Sequence, residues 1–296
     1  MLRFLCQIIV LSLIAASSLP AEDALWRRLT TDGLFKQRPS FSPDAKSVVF
    51  SRHIGDRIQL ISRNLETGDE SRVTDRSDPE YDAVFSPDGQ SLLFAFDLTT
   101  PNQGNIEVYS IDLNSKELKK IAGDVGGLSH EESPCWSPDG TRIAFTSTRD
   151  GNQELYVASA DGSEPLRLTS DPAIDAHPAW APDGKLIVFS TNRWGDLELA
   201  TIQPDGTNLT RLTDSHGLDD YPAWSPDGMR LAFASNRDGQ LEIYVMKSDG
   251  SEPHNVTQSE DVENFPAWSP SGDLGFISGR DGGFDLYLIS GNAFSD

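Results

Sequence analysis

PAWSPDG, residues 222–228, returns along the chain as PSFSPDA from Pro39, AVFSPDG from Ala83, PCWSPDG from Pro134, PAWAPDG from Pro178 and PAWSPSG from Pro266. Its second proline stands at Pro43, Pro87, Pro138, Pro182, Pro226 and Pro270, so successive copies lie 44, 51, 44, 44 and 44 residues apart. A fixed period in this range means one supersecondary unit stacked on copies of itself. The unit can be read outward from the quoted copy, YPAWSPDGMRLAFASNRDGQLEIYVMKSDGSEPHNVT. Strand a is PAWS, and Pro226 and Gly228 suit the tight turn that follows it. Strand b is MRLAFAS, and Asp238-Gly239 supplies the positive φ of a short hairpin turn. Strand c is LEIYVM, alternating with period two. A second Asp-Gly, at 249–250, leads to strand d, HNVT.

Four short strands joined by hairpin chemistry and repeated radially predict a β-propeller. Strands a, b and c occur six times, the last set ending with FDLYLIS at 284–290. Strand d follows only five of them, as SRVT, LKKIA, LRLT, TRLT and HNVT. The missing copy stands at the other end of the chain, as RRLT at 27–30. Thr30 precedes Pro43 by 13 positions, as Thr74, Thr169, Thr213 and Thr257 precede their own prolines. The expected fold is therefore all-β: a six-bladed β-propeller of four-stranded antiparallel blades, its ring closed by an N-terminal outer strand that completes the last blade. Closure of this kind leaves no open sheet edge to aggregate.

The phrases W-S-P-D-G, S-N-R-D-G, L-E-I-Y-V and R-L-T, in this order, resemble the WD40-like repeats of the TolB-type β-propeller family. The likeness covers essentially all of residues 22–296 and is specific for fold. It is weak for function, because similar repeats also decorate peptidases and lyases.

Residues 1–21 read as a secretory signal: Arg3, the apolar run FLCQIIVLSLIAA, then SSLPAED. Cleavage is expected after Ala21, with Ser18 the alternative, leaving a periplasmic or secreted domain of residues 22–296. The apolar run is short for a membrane span, and no insertion of the mature chain is expected. Cys135 would then be the remaining cysteine, read as a small buried hydrophobe. The whole chain carries 24 basic and 46 acidic residues, a formal charge of −22. Such a field repels nucleic acid and anionic lipid and favours cations or basic surfaces.

Several conspicuous residues have structural readings. Arg149, Arg193, Arg237 and Arg280 each precede an acid by five positions, Glu154, Glu198, Glu242 and Asp285, which predicts pairs across the b–c hairpin. Asp44, Asp88, Asp139, Asp183 and Asp227 sit in the repeated turn, where their side chains can bond nearby backbone. Phe41, Phe85, Trp136, Trp180, Trp224 and Trp268 share one strand-a position and predict packing between blades. The histidines keep no common blade position and show no His-x-x-x-His spacing, and no nucleophile elbow, phosphate loop or dinucleotide fingerprint occurs. No catalytic residue is assigned, and enzyme activity is not expected.

Function is expected on the face shared by the d–a and b–c connections, because there the repeats differ. Four of the extra residues of the 51-residue repeat fall around DLTTPNQGN (97–105) and three in GDVGGLSHEES (123–133), both on that face. Immediately before strand a, successive repeats read Arg38, Asp82, Ser133, His177, Tyr221 and Phe265. In the resembled family, partner recognition uses this face. The resemblance therefore implies protein contacts at His177, Tyr221 and Phe265, with Glu132, Asp175 and Asp220 close by; the acidic character of the face adds Glu131 and Asp219 as candidates. The separate N-terminal α/β domain of TolB has no counterpart in the repeats, so a full TolB role is not expected. The leading expectation is a monomeric, non-catalytic scaffold for another envelope or secreted protein. The alternatives are a propeller that binds a cation such as Ca²⁺ or a small ligand, and a polysaccharide lyase or hydrolase with its site at the channel mouth.

Overall fold

The computed structural model describes residues 26–97, 105–123 and 129–294. The expected signal, the segment at 98–104 and residues 124–128 of the second insertion lie outside the described residues. Six four-stranded antiparallel sheets surround a central channel, as the repeat predicted. In blade 5 the strands are Asp219–Trp224, Arg230–Ser235, Glu242–Lys247 and His254–Asn255. Blade 6 combines Glu263–Trp268, Leu274–Ser278 and Asp285–Ile289 with the N-terminal strand Trp26–Arg28. Trp26, Arg27 and Arg28 lie opposite Ile289, Leu288 and Tyr287, so both ends of the chain close the ring.

The repeated turn locks itself. Ser225 Oγ donates to Asp227 Oδ1 at 2.6 Å and accepts the Arg230 amide at 2.9 Å, while the Asp227 carboxylate accepts the Met229 amide at 3.0 Å. The same bonds recur at Ser42–Asp44, Ser86–Asp88 and Ser137–Asp139. They stabilise the ionised carboxylate: the Ser137 hydroxyl, with the Thr141 amide and hydroxyl, brings Asp139 down to about 2.

Apolar side chains form clusters that span neighbouring blades. Trp224 of blade 5 packs with Val188 and Leu199 of blade 4, and its indole N–H donates to the Ala179 carbonyl at 3.2 Å. Trp180 sits with Ala144, Leu155 and Val157 of blade 3, and Phe41 of blade 1 with Ile277 and Leu288 of blade 6. The aromatic of strand a is a wedge between blades, as its sequence position predicted.

The charged pairs differ from the expected ones. Arg193 Nη2 reaches Asp175 at 2.9 and 2.8 Å, and Arg237 Nη2 reaches Asp219 at 2.9 and 2.8 Å. Arg149 and Arg280 likewise turn to Glu131 and Glu263, at 3.3 and 3.7 Å. Each arginine thus engages the acid that opens its own blade's strand a. The strand-c acids are held from strand d instead: Glu154 by Arg167 at 2.8 Å, Glu198 by Arg211 at 3.0 Å and Asp285 by Arg28 at 2.6 Å. The threonine of R-L-T completes this lock. Thr213 Oγ1 donates to Glu198 at 2.5 Å and accepts the Leu199 amide at 2.9 Å, and Thr30 does the same for Asp285 and Leu286 at 2.6 and 2.9 Å. The hairpin expectation failed because both acid positions are buried, and a buried carboxylate selects the donor that can reach it with hydrogen bonds.

Candidate functional site

Strand a begins three residues earlier in blade 5 than the sequence predicted, at Asp219, and it carries a bulge. The register slips between Gln37 and Ser40, Tyr81 and Val84, Glu132 and Cys135, Ala176 and Ala179, Asp220 and Ala223, and Asn264 and Ala267. Inside every bulge lies one residue in the left-handed region: Arg38, Asp82, Ser133, His177, Tyr221 and Phe265, with φ between 50° and 55°. These are the residues placed just before strand a from sequence; they stand within it. A side chain at positive φ is strained by about 1–3 kcal/mol, and such strain gathers where a side chain must be aimed. Here Arg38, His177, Tyr221 and Phe265 form the boundary between two cavities along the channel.

The inner cavity, about 370 Å³, is walled by strand-a prolines, the aromatic wedges and Cys135, whose thiol burial pushes up to about 12. The outer cup, about 150 Å³, is lined by Gln37, Tyr81, Asp82, Ala95, Ile106, Glu132 and Ser133 together with the four boundary residues. One wall is aromatic. His177 stacks on Tyr221 with ring centroids 4.0 Å apart, and Phe265 meets Tyr221 edge-on at 4.6 Å. Behind them, His177 Nδ1 lies 2.6 Å from Asp220 Oδ1. Burial alone would raise the Asp220 carboxyl, but the adjoining His177, with Ser190 and the Tyr221 amide, outweighs it and holds the carboxyl below its usual range. An ionised carboxylate at Asp220 can only accept in this contact. The other wall is acidic. Ser133 Oγ donates to Asp82 Oδ2 at 3.0 Å, and the Glu132 carboxyl is raised by burial and by the neighbouring Asp82. Burial, followed by the Asp220 charge, also raises the Tyr221 hydroxyl.

The eight residues expected to meet a partner thus separate. His177, Tyr221, Phe265 and Glu132 line the cup. Asp220 is buried behind His177 and positions it. Glu131, Asp175 and Asp219 are buried inside their blades against Arg149, Arg193 and Arg237, and they present no surface. Sequence reading counted them as surface charge because an acid in a d–a segment looks exposed until the strand is known to start there. Arg38, Asp82 and Ser133, left out of the expected set, belong to the cup; the signal for them was their shared repeat position. On the same face Leu34, Ile54, Ile174, Trp194, Val262 and Phe284 expose apolar side chains. Among the described residues, no group of three or more His, Cys, Asp or Glu side chains is arranged to hold a metal ion, and no helix is long and apolar enough to cross a membrane.

The relatives of the chain share this architecture. The Tol-Pal system protein TolB of Anaeromyxobacter dehalogenans is 30% identical over 117 residues, 40% of this chain and 25% of that protein. The crystal structure of TolB from Acinetobacter baumannii superposes with a TM-score of 0.71 at 25% identity, covering 81% of this chain and 58% of that one. An oligogalacturonate lyase from Vibrio parahaemolyticus shares the fold alone, with a TM-score of 0.60 at 14% identity over 90% of this chain and 93% of that one. The chain spans about a quarter of the length of the curated TolB proteins it matches. Residues 102–219 and 208–294 match the family model of the TolB β-propeller domain. With six bladed repeats, one closed by the N-terminal strand, and with that match over most of its length, the chain belongs to the TolB β-propeller domain family.

Proposed function

We propose that the protein is an exported, non-catalytic propeller that binds another envelope or secreted protein through the channel mouth on its d–a/b–c face. The observation that carries this reading is the ring of six left-handed residues. Every blade holds a strained position to aim one side chain at the mouth, and that side chain differs from blade to blade while the rest of the repeat is kept. Tyr, Phe and Arg are the types that anchor protein interfaces, and the rim adds exposed apolar side chains. The Tol-Pal relatives support a protein as the kind of partner, and the expected signal supports a periplasmic or secreted setting.

Affinity capture from an envelope extract with residues 22–296 tests it, with Glu132→Gln/Tyr221→Leu as the mouth variant and Asp227→Asn on the opposite face as control. A protein retained by the wild type and the control and lost by at least tenfold with the mouth variant is the expected result, since interface anchors are worth about 2 kcal/mol or more. Equal retention by all three would remove the mouth from the interface. Two other readings are checked on the same material. The fold shared with oligogalacturonate lyase, and Asp82, Glu132 and His177 around the cup, motivate an assay for cleavage of acidic polysaccharide. Calorimetric titration with Ca²⁺ tests the cation reading, and a flat trace to millimolar concentration ends it.

A further inference from the structure

Arg38 is held differently from the arginines that pair with the acid opening strand a in blades 4 and 5. Arg193 and Arg237 are fixed by paired hydrogen bonds to buried carboxylates. The Arg38 guanidinium instead reaches from blade 1 past blade 6 to lie 5.3 Å from the ring centroid of Tyr221 in blade 5. Its other contact is an ion pair, Nε to Asp82 Oδ1 at 3.4 Å, and among the described residues it makes no hydrogen bond. The cup around it is nevertheless built for a cation. Tyr221 presents a ring face, and His177 and Phe265 hold that ring in place. Asp82 and Glu132 supply two carboxylates to the lining, and His130 Nδ1 stands 3.8 Å from Glu132 Oε1. An aromatic face flanked by carboxylates selects guanidinium and ammonium groups over neutral or anionic ones.

From this seated but weakly held guanidinium we infer that the cup is a receptor for an arginine or lysine side chain of the protein partner, with Arg38 as an internal placeholder that the entering cation displaces. The inference rests on the protein-binding reading above and specifies its chemistry. An incoming side chain inserts along the channel axis and meets the Tyr221 face and both acids. Arg38, between the two cavities, moves aside by giving up its ion pair with Asp82 and no hydrogen bond. The arrangement also sets specificity: a neutral or acidic side chain of similar length would leave Asp82 and Glu132 unpaired once Arg38 has been pushed aside.

The probe is N-acetyl-arginine amide, with the isosteric, uncharged N-acetyl-citrulline amide as control, titrated calorimetrically into residues 22–296. Position 38 has a φ of 50°, so Arg38→Gly and Arg38→Asn are the variants the backbone tolerates. Wild-type protein should bind the arginine amide weakly and the citrulline amide not at all. Either variant should bind the arginine amide about tenfold more tightly, and Tyr221→Leu added to it should remove about that factor, the worth of a desolvated cation–π contact. Equal binding of the two amides, or no gain in a position-38 variant shown to be folded by circular dichroism, overturns the inference. Should both variants fail to fold, discrimination between the amides by the wild type decides it alone. The titration needs no partner, so it is separable from the capture experiment. Capture that depends on the mouth but resists excess arginine amide would overturn the cationic cup and leave the protein-binding reading standing.

Discussion

Arg193 shows how a single contact decides a blade. Its guanidinium bonds both oxygens of Asp175, whose side chain is fully buried. Replacing Arg193 with Ala leaves that carboxylate buried and unpaired, at a cost of about 3–5 kcal/mol. Urea unfolding should show the loss as a lower midpoint with unchanged slope. The double variant Arg193→Met/Asp175→Leu should recover most of it, because it removes the charge as well as its partner. Residue identities were fully legible in the sequence here, whereas the pairing was not. Glu198 follows Arg193 by five positions and Asp175 precedes it by 18, and only burial of both acids settles that Arg193 takes Asp175 and Arg211 takes Glu198. The same holds for Asp220: its repeat position was visible, but its role behind His177 depends on a contact between blades 4 and 5.

Among elements, the inner strand of blade 6 differs from its counterparts. Arg280 stacks over the Trp26 ring, its guanidinium carbon 3.4 Å from the centroid, and stands 3.7 Å from Glu263 where blades 4 and 5 have 2.8 Å. Burial, with the Glu242 carboxylate nearby, then raises Glu263 to about 7; the Ser278 hydroxyl and Arg280 oppose the shift without cancelling it. The folded pKa lies above the ordinary value of 4.5, so between these limits the native state keeps a proton that the unfolded chain has released. Stability should therefore fall as pH rises from about 4.5 to 7, and Glu263→Gln should remove that part of the fall. Melting temperatures at pH 5.5 and 8 measure it, each kcal/mol amounting to roughly 2–4 °C in a domain of this size class. An equal drop in wild type and variant would show that Glu263 is not the group responsible. The strands themselves were legible from alternation and turn residues. The bulge in each inner strand was not, since an extra residue at positive φ leaves no mark when it is Arg, Asp, Ser, His, Tyr or Phe.

Across the whole molecule, the seam between blades 6 and 1 holds the ring shut. Asp285 collects Thr30 and Arg28 from the closing strand and Lys36 Nζ, at 3.0 Å, from blade 1; Lys36 is itself buried and also paired with Asp32. Burial alone would raise the Asp285 carboxyl, yet these donors bring it down to about 2. A folded pKa below the unfolded 3.8 contributes stability above that value, and the contribution is lost as pH falls toward 2, so acid should loosen the seam. Deleting residues 22–30 should go further. It strips the outer strand from Asp285–Ile289 and exposes a sheet edge next to an uncovered ion cluster. Size-exclusion chromatography should show dimers or aggregates, and a peptide of residues 22–31 added in trans should restore part of the monomer. A monodisperse, equally stable deletion variant would mean that the closing strand is dispensable.

By itself the sequence determined the repeat, the blade number, the shared last blade, the aromatic wedges and the turn acids, because each of these follows from local propensity and a period that any six copies display. Only the tertiary structure decided which carboxylates are buried, which arginine answers each of them, and which side chains converge at the channel mouth. Those outcomes depend on what neighbouring blades place opposite a residue. In a closed ring the six bulge residues, more than 220 positions apart from first to last, meet around one axis that no stretch of the chain contains.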